Sequence, residues 1–100
     1  MMFRVVYHPD VSYDLKEAYN WYEEKQAGLG NKFLITTKKQ LNLLRTSALQ
    51  YSIRYDDVRC MPLKKFPYMV HFRVNMQEKT VSVEAIFNTW RNPAIWSSRK

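Results

Sequence analysis

In the second half of the chain, Arg59, Lys64, Lys65, His71, Arg73 and Arg91 are basic side chains set among aromatic and β-branched residues. Groups of these types can cleave a phosphodiester without a metal. One side chain takes the proton of a 2′-hydroxyl, cations stabilise the charged phosphorane, and an acid protonates the leaving oxygen. Arg59, Lys65, His71 and Arg91 are the candidate catalytic set, with Tyr55 and Tyr68 as candidate platforms on which bases stack. Of the two histidines, His71 is the better placed. Strand alternation sends it to the same face as Arg73, opposite Val70 and Phe72. The plainer expectation is still a solvent-exposed strand histidine, because a single histidine needs a partner to act. His8 precedes a proline at a helix start and reads as structural.

A second group suits binding rather than catalysis: Lys64, Arg73, Trp90, Arg91 and Trp96. Trp and Arg are enriched where proteins grip one another. Set against this, a dozen terminal residues need an anchor, so at least one of Trp90 and Trp96 is expected to fold back over the sheet. Cys60 stands beside Arg59. It would be reactive if exposed, but a buried, inert thiol is the commoner outcome. No set of His, Cys and carboxylates has metal-ligand spacing, and no cofactor motif is present.

The elements that must position these residues follow from periodicity. Residues 3–7, FRVVY, read as a strand buried on at least one face. Pro9 and Asp10 then suit the first turn of a helix. Val11, Leu15, Ala18 and Tyr22 recur at i, i+4, i+7 and i+11, one apolar stripe with Trp21 alongside, while Asp14, Lys16, Glu17, Glu23 and Glu24 take the other faces. This helix is predicted to run to about Ala27. Gly28-Leu29-Gly30 makes a turn, with Asn31 as N-cap of a second helix whose core positions are Phe33, Leu34, Leu41 and Leu44. The Glu23-Glu24-Lys25 and Lys38-Lys39 runs read as solvated helix faces.

From Tyr51 onward the period becomes two. In MVHFRV, Val70, Phe72 and Val74 alternate with His71 and Arg73; in TVSVEAIF, Val81, Val83, Ala85 and Phe87 alternate with Ser82 and Glu84. Two antiparallel strands joined by the turn Asn75–Lys79 are predicted. Residues 58–64 read as a further strand, with Pro62 marking an edge or a bulge. The predicted fold is α+β with the order β-α-α-β-β-β. A helical hairpin of residues 10–45 packs through Leu15, Tyr22, Phe33 and Leu41 onto a small, mainly antiparallel sheet of residues 3–7, 58–64, 69–74 and 80–87.

Composition supports one folded domain over residues 1–100: 46% of the 100 residues are hydrophobic and 15% aromatic, which excludes a disordered chain. The lone Cys60 excludes a disulfide scaffold. No apolar run is long enough to span a membrane, and MMFRVVYHPD lacks the features of a signal peptide, so a cytoplasmic location is expected. The net charge of +7 is unevenly spread. Residues 1–30 hold three basic and five acidic groups, a net −2, whereas residues 31–100 hold 13 basic and four acidic, a net +9. Such segregation favours an anionic partner, nucleic acid or acidic protein.

The ordered set Tyr13-Asp14-Leu15, Ala18, Trp21-Tyr22-Glu23, Gly28-Leu29-Gly30 and Phe33, then Arg59, Leu63, Phe66-Pro67-Tyr68 and Phe72, then Val83, Ala85, Arg91-Asn92-Pro93, Trp96 and Arg99, resembles the RelE/ParE superfamily of bacterial toxins. The resemblance spans nearly the whole chain. It implies the toxin of a type II toxin–antitoxin system, held by a cognate antitoxin in a hetero-oligomer. Two actions are known in the superfamily: cleavage of messenger RNA on the ribosome and poisoning of DNA gyrase. The places that carry lysines and a catalytic arginine in the RNA-cleaving branch correspond here to Cys60, Pro62 and Met69. The helical hairpin, the FPY bend and the R-N-P-x-x-W tail look more like the ParE-type branch. Gyrase is therefore the expected target, with a ribosome-dependent endoribonuclease, or a member that only binds a partner, as the alternatives.

Overall fold

A computed structural model describes residues 2–90. Arg91, Trp96 and Arg99, and with them most of the expected C-terminal segment, lie outside the described residues. The elements are β1 (Arg4–Tyr7), α1 (Val11–Lys25), α2 (Leu29–Ser47), a single 3₁₀ turn (Ala48–Gln50), β2 (Ile53–Tyr55), β3 (Val58–Pro62), β4 (Tyr68–Asn75) and β5 (Thr80–Asn88). The strands form one sheet in the order β1-β5-β4-β3-β2, with β1 parallel to β5 and the other pairs antiparallel. This is the predicted α+β layout with one strand added at an edge. No helix among the described residues is long and apolar enough to cross a membrane.

The start of α1 is fixed by His8, whose ring Nδ1 accepts the Asp10 N–H at 3.0 Å, so its structural role is confirmed. Asp14 departs from expectation: it is buried, and its carboxylate accepts the Ile86 N–H at 3.0 Å. That bond fastens α1 to β5 and satisfies a charge that would be costly to bury alone. The helix stops at Lys25, two residues early, where Gln26 turns extended and Gly28 enters the left-handed region at φ 88°.

The two glycines of the turn do different work. Gly28 supplies the backbone conformation, whereas at Gly30 a β-carbon would stand 2.8 Å from the Tyr19 carbonyl oxygen, so the methyl group of an alanine would force the helices apart. Glu23, rather than Asn31, caps α2. Its two carboxylate oxygens accept the Gly28 and Gly30 N–H groups, each at 3.0 Å, placing an anion at the positive end of the helix.

Phe33, Leu41 and Leu44 of α2 meet Val70, Phe72, Val81 and Val83 of the sheet in a buried core, and Leu15 and Tyr22 pack partly buried against it. Tyr22, Phe33, Phe66 and Tyr68 form a nest with ring centroids 4.9–6.1 Å apart. Aromatic contacts of this kind contribute about 0.5–1.5 kcal/mol each beyond burial.

The sheet departs from the predicted alternation at one place. His71 pairs with Ala85 and Phe72 with Val83, so Glu84 is an extra residue in β5. This bulge reverses the sides beyond it. Val81, Val83 and Ile86 join the core under the helices, whereas Ala85 and Phe87 belong to the opposite face, with Phe87 against the His71 ring at 5.6 Å. Strand β3 is shorter than residues 58–64 and is not an edge, because β2 pairs outside it. Pro62 ends it, where its missing N–H does no harm.

Candidate functional site

Among the described residues, the candidate catalytic side chains do not converge. The Arg59 guanidinium donates to the Tyr51 carbonyl at 2.6 Å and so braces the chain entering β2. Lys65 is exposed in the loop between β3 and β4, with a left-handed φ of 70°. Arg91 lies outside the described residues. His71 lies on the face predicted for it but is fully buried, not solvent-exposed.

What surrounds His71 is a small polar cluster inside apolar packing. Its Nδ1 stands 3.0 Å from the Tyr55 hydroxyl and 3.4 Å from the Cys60 Sγ. Burial pushes the Tyr55 phenol up to about 12, with the neighbouring Cys60 adding to the shift. Burial also pushes the Cys60 thiol up, against a lowering influence from Arg54, so the thiolate is disfavoured. The inert reading of Cys60 holds.

Of the candidate binding residues, Arg73 is committed elsewhere. It pairs with Asp57 in the β2–β3 turn and approaches Glu84 of the bulge at 3.6 Å. One cation thus faces two carboxylates. Lys64 is exposed, but its backbone N–H is bound by Gln40 at 2.6 Å. Trp90 is 70% exposed and does not cover the sheet; Trp96 lies outside the described residues. Tyr68 is buried in the aromatic nest and offers no stacking surface.

A different surface is lined by cations with no carboxylate among the lining residues. Three adjoining cavities of about 650, 530 and 410 Å³ share Lys38 and run from β1 along the cleft between α1 and α2. Their walls bring Arg4, Lys16 and Arg45 together with Val5, Leu15 and Leu41. Lys38 had read as part of a solvated run. Helical spacing does group it with Leu34, Leu41 and Arg45 on one side of α2, but β1, which forms the other wall, comes from the opposite end of the hairpin.

Strand β1 also leaves hydrogen-bonding capacity at this surface. The Arg4 and His8 N–H groups donate towards β5, at 2.9 and 2.8 Å. By strand alternation the Val5 and Tyr7 backbone groups point away from β5, towards the groove. The arrangement can take an extended or helical segment that is apolar on one side and acidic on the other.

No protein-family model matches the sequence, and no curated protein matches it significantly. Solved structures do match. A chain of the chromosomal ParDE toxin–antitoxin system from P. aeruginosa superposes with a TM-score of 0.75 at 22% identity, covering 87% of this chain and 96% of that one. The toxin–antitoxin complex RelBE2 from Mycobacterium tuberculosis gives 0.64 at 13% identity, over 88% and 99% of the two chains. A variant of the E. coli toxin RelE in the free state gives 0.61 at 15% identity, over 99% and 95%. The chain is thus built on the fold shared by the ParE and RelE toxins.

Proposed function

We propose that this chain is the toxin of a type II toxin–antitoxin pair, that an acidic, amphipathic segment of its antitoxin occupies the groove between β1 and the helical hairpin, and that the free toxin acts on DNA gyrase. The fold shared with ParDE and RelBE chains supports the first part. The cations around an apolar floor, with no carboxylate among the lining residues, support the second, because charge steers the encounter and apolar burial supplies affinity.

The observation that carries the choice of target is the state of the sheet face opposite the helices. A phosphodiester approaching it meets an Arg73 already paired with Asp57 and Glu84, and finds His71 fully buried. Cys60 and Pro62 pair there with His71 and Met69, and none of the three non-histidine residues can clamp a phosphate. Among the described residues, that face does not bring together the base, acid and cations of an endoribonuclease.

The test is expression in cells, with primer extension on messenger RNA beside an assay for gyrase-dependent DNA breaks. DNA breaks without phased RNA cuts are expected. RNA cuts in register with codons, without DNA breaks, would replace this reading with the ribonuclease one.

A further inference from the structure

Helix α2 has a second flank that the antitoxin groove does not use. Lys32, Ile35, Thr36, Lys39 and Leu43 follow one another at helical spacing on the side away from Lys38 and Arg45. There α2 meets the β3–β4 loop, and Leu29, Lys32, Ile35, Thr36, Lys65 and Phe66 line one cavity of about 380 Å³.

The loop that forms the far wall is held in place. Gln40 spans it with both ends of its amide, donating to the Pro62 carbonyl at 3.2 Å and accepting the Lys64 N–H at 2.6 Å. The Leu63 N–H reaches the Tyr68 carbonyl at 2.9 Å, and the Tyr68 N–H reaches the Phe66 carbonyl at 2.8 Å. Phe66 is wedged into the aromatic nest against Tyr22 and Phe33. The cavity is therefore preformed, and a ligand need not pay to order it.

Its chemistry is mixed. Lys32 and Lys65 line the cavity with no carboxylate among the lining residues, and Lys39 and Lys64 flank it on the two elements that form it. Ile35 and Leu43 are each 55% exposed along the same stripe. Three of the six lining side chains, Leu29, Ile35 and Phe66, are apolar, which suits a protein segment better than a phosphate backbone.

Resting on the reading of this chain as a toxin, we infer that this flank grips the target, through a target segment that presents carboxylates around an apolar anchor. The antitoxin groove and the target surface are then two sides of one helix, so the target surface can be disabled without touching neutralisation.

The experiment compares the wild-type chain with Lys32→Glu/Lys65→Glu, with Ile35→Glu, and with Lys79→Glu as a charge control in the β4–β5 turn. Each is scored for growth arrest on induction, for antitoxin affinity by calorimetry, and for folding by circular dichroism. The double variant and Ile35→Glu are expected to lose arrest, with at least a tenfold weaker pull-down of purified gyrase, while antitoxin affinity stays within about twofold and Lys79→Glu behaves as wild type. Undiminished arrest by both flank variants overturns the inference. So does a matching loss of antitoxin affinity, or a tenfold loss of binding to duplex DNA alone with gyrase binding intact. Failure of the wild type to bind gyrase while it still arrests growth overturns the choice of gyrase; the flank is then judged by the arrest assay, which does not depend on the target's identity.

Discussion

Arg73 and Lys38 are cations of one small domain with opposite fates. Arg73 projects from the sheet face beside two carboxylates, near a cluster in which half-buried Tyr55 meets buried His71 and Cys60. Lys38 stands where three cavities join, among other cations and an apolar floor. Residue type is alike and availability is not. A cation that already faces two anions has little left for a partner, and a histidine with no exposed surface is a packing residue first. Among the described residues, the face richest in catalytic-looking side chains is thus the one whose cation is already paired, and Lys38, which read as part of a solvated helix face, lines an open groove.

Reversing charge in the groove gives the largest expected effect. Lys38→Glu with Arg45→Glu is predicted to weaken the antitoxin complex by about 2–5 kcal/mol in calorimetry, the range for disrupted close charge pairs, and to lower the stability of the free chain by only about 1 kcal/mol, from the anion placed in the last turn of α2. A complex of undiminished affinity would break the comparison. On the sheet face the effect moves from binding to folding. His71→Ala is predicted to destabilise by about 2–3 kcal/mol in denaturant unfolding, by removing a buried side chain and its hydrogen bond, while each folded molecule keeps its toxicity.

Alkali sharpens the contrast further. The Tyr55 phenol is pushed up to about 12 in the folded chain from an ordinary value of 10.0. Below pH 10 both states are protonated and the full stability is present; between pH 10 and 12 only the unfolded chain loses the proton, so stability falls as pH rises. The loss from this one residue is on the order of 1–2 kcal/mol after allowance for partial solvation. Tyr55→Phe should flatten that slope in pH-dependent melts, though not abolish it, because burial raises Tyr7 and Tyr22 as well. The smallest effect is expected at Arg73, whose partner Asp57 is 67% exposed. Arg73→Gln should cost less than about 1 kcal/mol and leave growth arrest intact.

Helical periodicity made the hairpin legible, down to Phe33 and Leu41 in the core, because a 3.6-residue repeat over two long segments has few alternative readings. Strand β2 was not legible: Ile53–Tyr55 is too short to alternate. The bulge at Glu84 was hidden because it inserts a polar residue into a pattern already alternating polar and apolar, and only pairing with β4 shows the slip. His71 misled for a related reason. Alternation assigns a polar residue to the side opposite Val70, but that side is itself buried around His71, Ala85 and Phe87. The Glu23 cap and the Gln40 clamp share another cause, since each joins residues that the chain separates by at least one turn or element.

The most direct test of the account is a purified one: the toxin, gyrase, ATP and supercoiled plasmid, with and without the antitoxin, beside ribosomes translating a defined message. The account predicts linear plasmid that accumulates with toxin and disappears when antitoxin is added, and an intact message. A message cut by the toxin in a ribosome-dependent manner, with the plasmid left unbroken, would contradict it.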